Sequence, residues 1–74
     1  MEYEYTVVIE QDEDRVFIAT VPALPGCNSF GDTEEEAREM AKDAIGLYIE
    51  YLLEQGEPIP PDVGTTKVRV PIPA

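Results

Sequence analysis

The stretch from Val21 to Ala37 constrains this chain more than any other, because it holds a strand end, a tight turn, a short strand and a helix cap in succession. Pro25-Gly26 is a turn signal. Proline presets φ near −65° at the second turn position, and glycine tolerates the positive φ that a type II turn needs next. Thr33, with Glu36 three residues on, reads as a capping box opening a long apolar-periodic segment. The order strand–turn–strand–cap–helix follows directly.

Tyr3 to Gln11 alternates, with Tyr3, Tyr5, Val7 and Ile9 on one face and Glu2, Glu4, Thr6, Val8 and Glu10 on the other. That period reads as a strand with one wet face. Gln11-Asp12-Glu13-Asp14 is a polar hairpin connection. Arg15 to Val21 is apolar on both faces, so this strand is central or its outer face meets another subunit. Pro22 and Pro25 end it, and Cys27 to Phe30 forms a short third strand.

The helix is expected from about Glu34 to Glu54, with Gly56 just past its end and Pro58 preventing continuation. Glu34, Glu35 and Glu36 occupy the first turn, where the helix dipole favours negative charge. Ala37, Ala41, Ala44, Ile45, Tyr48, Ile49 and Leu52 form the core face, small residues first, so the N-terminal half can approach the sheet closely. Met40, Leu47, Tyr51 and Leu53 widen the apolar arc to roughly 240°, against the ~100° that one sheet contact requires. Either the Pro-rich segment Glu57–Thr65 folds over the excess or another subunit or partner covers it. Thr66 to Val70 alternates again and is expected to return as a fourth strand beside the first, blunted by Pro71 and Pro73. Lys67 and Arg69 would then neighbour Glu2 and Glu4. The expected fold is α+β, in the order β-β-β-α-β: an antiparallel three-stranded meander plus a returning strand, with one long helix on one face.

Seventy-four residues make one domain, 1–74, with a core small enough that self-association or a partner is a reasonable source of further stability. There is no long apolar run and no basic N-terminal leader, so a cytoplasmic protein is expected. Sixteen acidic residues against five basic give a net charge of −11. Such a surface repels phosphate backbones and favours basic partners, although acidity also serves plain solubility.

Cys27 is the only cysteine, and histidine is absent altogether. That removes internal disulfides, cysteine-rich metal sites and the commonest general base together. No dinucleotide fingerprint, P-loop or zinc-protease motif occurs. Ser29 has no histidine or lysine nearby to activate it, and reads as a small strand residue. A two-metal nuclease needs convergent carboxylates, and where the ribonuclease H fold takes one from its fourth strand this chain offers Lys67 and Arg69. Asp12-Glu13-Asp14 lacks the spacing and the distant glutamate of a calcium loop. The acyl-carrier attachment sequence is absent too. No catalytic residue, cofactor or metal is expected.

Taken together, the chain resembles the N-terminal domain of the HicB antitoxin family. The residues that carry the likeness are Tyr5–Glu10, Val21-Pro22-Ala23-Leu24-Pro25-Gly26-Cys27, Gly31-Asp32-Thr33-Glu34-Glu35-Glu36-Ala37, Tyr51–Pro60 and Val68-Arg69-Val70-Pro71. The resemblance implies a partial ribonuclease H-like fold without ribonuclease activity. It also implies a partner, HicA, a small basic toxin that cleaves mRNA and is neutralised by masking. Full HicB proteins carry a C-terminal DNA-binding domain, and the sequence ending at Ala74 leads us to expect none here. The expected toxin contacts are Asp12, Glu13 and Asp14 in the hairpin and Asp32, Glu34 and Glu35 at the helix start. Phe17, Tyr51 and Leu53 are the expected subunit contacts in a homodimer or larger assembly. The competing reading is a binding or structural module that kept the fold without a toxin.

Overall fold

The computed structural model describes residues 3–64 and 68–73. Three strands, β1 (Val8–Gln11), β2 (Phe17–Thr20) and β3 (Asn28–Gly31), form an antiparallel meander in the order β1-β2-β3. Helix α1 (Glu34–Gln55) follows and lies across one face. The meander and the long helix are as the alternation and the cap require.

The register places Gln11, Phe17 and Gly31 in one row and Val8, Thr20 and Asn28 in another. β1 is shorter than the alternation from Tyr3 suggests. Extending the register puts Thr6 opposite Pro22, which has no N–H to give and already belongs to the next turn. Tyr3–Val7 is therefore a lead-in outside the ladder.

Between β2 and β3 the chain makes two tight turns. The Leu24 N–H donates to the Val21 carbonyl at 3.0 Å, and the Cys27 N–H to the Leu24 carbonyl at 3.0 Å. Gly26 has φ 82°, as the third position of a type II turn requires. This folds Leu24 fully inside, with Val21 and Cys27 beside it.

The helix face matches the sequence pattern. Ala37 and Ala41 close on Ala19, while Ile49 joins Val21, Leu24 and Cys27, flanked by Ala44, Ile45, Tyr48 and Leu52. Close approach of the first turn depends on Gly31, where a Cβ would stand 2.6 Å from the Ala37 backbone nitrogen. At the far end Gly56 has φ 68°, the Gly56 N–H donates to the Leu53 carbonyl, and the Glu57 N–H donates to that of Leu52. That pair of bonds is a Schellman stop.

The segment after the helix does fold back, but only in part. Ile59 packs on the core, the Tyr5 hydroxyl donates to the Pro60 carbonyl, and Asp62 is held by Thr6. Met40, Leu47, Tyr51 and Leu53 stay exposed. Of the expected returning strand, Thr66 and Lys67 lie outside the described residues, and residues 68–73 carry no strand. Val68, Val70 and Ile72 are exposed, and Pro71 and Pro73, two residues apart, remove donors from only one edge of this segment.

Candidate partner-binding site

The β1–β2 connection closes on the pair Asp12 and Val16, leaving Glu13, Asp14 and Arg15 as the loop. The Asp12 N–H donates to the Val16 carbonyl at 2.9 Å, and the Arg15 N–H to the Asp12 carbonyl at 3.1 Å. Arg15 takes φ 64°, so a type I turn is closed by a left-handed residue. The Asp12 carboxylate accepts from the backbone N–H groups of Asp14 and Val16, both at 2.9 Å. Asp12 thus shapes the loop. Glu13 and Asp14 are exposed at its tip.

At the helix start Thr33 is extended, with φ −129° and ψ 161°, and its hydroxyl accepts from the Glu36 N–H at 3.0 Å. The returning half of the capping box is shifted by one residue: the Glu36 carboxylate accepts from the Asp32 N–H at 3.3 Å. Glu34 pairs with Arg38 at 3.4 Å, an exposed contact of little energetic weight. Asp32 and Glu35 are exposed.

These two acidic segments are distant in sequence, and the register joins them. Gln11, Phe17 and Gly31 form the last row of the sheet, and both the hairpin tip and the helix start lie beyond it. Asp12, Glu13, Asp14, Asp32, Glu34 and Glu35 therefore sit at the same end of the molecule, with Arg15 and Arg38 the basic residues among them. The N-terminal helix dipole adds a partial positive charge there, which moderates the repulsion of its own glutamates. Chemically, this end can attract and orient a basic surface.

The expected subunit contacts fall in three different places. Phe17 is half-buried and faces the helix with Ala19, Ala37 and Ala41. Tyr51 is exposed on one shoulder of α1, in line with Met40 and Leu47 at helical spacing. Leu53 is on the other shoulder, beside Ile49, where it lines a groove between α1 and Tyr3–Val7.

Two features escape sequence reasoning. The sheet face away from the helix exposes Val8, Ile18 and Phe30, an apolar surface foreshadowed only by the two-sided pattern of residues 15–21. The strap made by Pro60 and Asp62 against Tyr5 and Thr6 spans contacts that no local signal marks.

Among the described residues, no group of three or more His, Cys, Asp or Glu side chains could hold a metal ion. The Ser29 hydroxyl is buried without a hydrogen-bond partner, and burial pushes the Cys27 thiol up from its ordinary range. Neither is an activated nucleophile. No described helix is long and apolar enough to cross a membrane.

Comparison with known proteins agrees with this architecture. Residues 5–70 match the family described as HicB_like antitoxin of bacterial toxin-antitoxin system. A UPF0150 protein of Thermoplasma acidophilum is 49% identical over 59 residues, covering 80% of this chain and 86% of the relative. Antitoxin HicB 1 of Photorhabdus laumondii is 39% identical over 70 residues, covering 92% of this chain but 45% of that protein. The crystal structure of the N-terminal domain of Burkholderia pseudomallei antitoxin HicB superposes with a TM-score of 0.64 at 33% identity, covering 85% of this chain and 69% of that one. With the same meander, the same helix and a family match over nearly its whole length, this chain belongs to the HicB-like antitoxin family.

Proposed function

We propose that this chain is an antitoxin that binds a small, basic, mRNA-cleaving toxin of the HicA type and masks it without catalysis. The observation that carries the reading is the gathering of the hairpin and helix-start carboxylates at one end of the sheet, on a chain of net charge −11. Family membership supports the same role. An RNA-cutting partner needs a cationic surface to hold phosphates, and a carboxylate-rich surface is its electrostatic complement. Occupying that surface denies RNA its footing, so steric and electrostatic masking suffices. Because mRNA is the toxin's target, the encounter takes place in the cytoplasm.

The test is whether a short basic protein is encoded next to this chain, followed by co-expression of the two; the absence of any such neighbour counts against the reading. The reading expects growth arrest by the toxin alone and recovery with the antitoxin. A neighbour whose toxicity is unrelieved contradicts it, and favours a module that kept the fold without a toxin.

A further inference from the structure

The outer edge of β1 and the C-terminal arm complement one another. β1 pairs with β2 alone among the described residues. The Asp12 N–H bond to Val16 and the pairs Glu10↔Ile18 and Val8↔Thr20 show that the even-numbered residues aim their backbone groups at β2. Backbone direction alternates along a strand, so the N–H and C=O groups of Ile9 and Gln11, and of Val7 before them, face outward. An edge of this kind is a template for another strand. Leading up to it, along Tyr3–Val7, runs a groove of about 770 Å³, lined by Tyr5, Val7, Ile45 and Leu53 among others.

The arm supplies what the edge lacks. Val68, Val70 and Ile72 recur at period two and are 78%, 64% and 79% exposed. From Val63 onward the sequence holds Lys67 and Arg69 and no acidic residue, on a chain of net charge −11. The arm's base is fixed by Tyr5 and Thr6 in the lead-in before β1. The space around Gly64 is open, and residues 68–73 are all exposed on their own chain. The radius of gyration is 15.1 Å, whereas a compact chain of this length has about 11 Å. The longest extent is 54 Å, where a 22-residue helix accounts for about 33 Å.

We propose that the arm of one copy adds as a strand to the outer edge of β1 in a second copy, reciprocally, making a strand-exchanged dimer. Val68 and Val70 then fill the groove beside Val7, and Arg69 lies on the opposite sheet face with Glu4 and Glu10. Exchange between identical copies closes as a twofold pair and satisfies both open edges at once. It also adds apolar burial to a core whose fully enclosed side chains are mostly small. The inference stands apart from toxin binding.

The test uses the full chain in two measurements. Light scattering on the eluting protein is expected to give twice 8.2 kDa, falling twofold for Val68→Asp/Val70→Asp with helical circular dichroism retained. Separately, chains carrying a nitroxide at Ile72→Cys in a Cys27→Ser background are mixed with ¹⁵N-labelled chains. Exchange predicts broadening of the Val7, Ile9 and Gln11 amides in the labelled partner. A monomeric mass, a dimer without that broadening, or broadening only when both labels share one chain overturns the proposal. Edge amides that respond only to an added basic protein would overturn it too, assigning the edge to that partner.

Discussion

Asp62 accepts both hydrogen bonds that Thr6 offers, from the backbone N–H at 2.9 Å and from the hydroxyl at 2.7 Å, and so ties the post-helix segment to the lead-in before β1. These bonds hold the Asp62 carboxyl below its ordinary value of 3.8, the backbone bond most and the hydroxyl next. A carboxylate with a depressed folded-state value stabilises the fold above its unfolded value, and that contribution is lost as pH falls through the folded one. The stability gap between the wild type and Asp62→Ala is therefore full at neutral pH and narrows below pH 3.8. Thermal unfolding of both proteins between pH 7 and pH 2 checks this, and a gap that ignores pH refutes it.

Gly31 is where β3 and the helix start meet. A methyl group at this position would stand 2.6 Å from the Ala37 nitrogen and 3.0 Å from Glu36 atoms. Backbone cannot yield as a flexible side chain can, so Gly31→Ala is expected to destabilise by about 1–3 kcal/mol. Urea unfolding measures it, and an unchanged midpoint would show that the helix can lift from the sheet without cost.

Arg15 has a left-handed backbone, φ 64°, at the hairpin tip. That conformation costs an ordinary side chain about 1–2 kcal/mol. Glycine is free of that strain but loses more entropy on folding, so Arg15→Gly is expected to gain a net ~0.5–1 kcal/mol. The gain appears as a higher unfolding midpoint, and a loss would mean that the Arg15 side chain contributes more than its backbone costs.

The Thr33 hydroxyl satisfies the Glu36 N–H. Thr33→Ala is expected to cost about 1 kcal/mol, while Thr33→Ser keeps the acceptor and most of the stability. Equal losses in the two variants would remove capping as the cause.

Within the acidic end, Asp12 and Glu13 have different work. Asp12 accepts two backbone bonds inside the loop, while Glu13 sits exposed at its tip. Asp12→Ala should therefore lower stability. Glu13→Lys should leave it within about 0.5 kcal/mol and Glu35→Lys, in the first helical turn, should cost about 1 kcal/mol, yet both should slow association with a basic toxin, most strongly at low salt. Stopped-flow association at two ionic strengths separates these effects.

The parts legible in the sequence are those encoded by neighbouring residues. Pro25-Gly26, Thr33 with Glu36, and Gly56 each specify a backbone state on their own, so the turn and both helix ends fall where their signals place them. The length of β1 was not legible, because what stops its ladder is Pro22, brought opposite Thr6 only by the register. The described part of the expected return strand, from Val68 on, is unpaired for a similar reason: alternation at Val68 and Val70 states a capacity to pair and names no partner. For the site, the acidic residues were visible as charge, and their gathering at one end needed the row Gln11–Phe17–Gly31. Phe17 was legible as apolar, while its facing the helix, leaving Ile18 outward, is a fact of strand parity.

The most direct measurement is titration of a purified basic protein encoded beside this chain, the toxin the account requires, with this chain while cleavage of mRNA is followed. The account predicts stoichiometric loss of cleavage, binding that weakens as salt rises, and a weaker complex for Glu13→Lys/Glu35→Lys. Undiminished cleavage at saturating concentrations of this chain would contradict it.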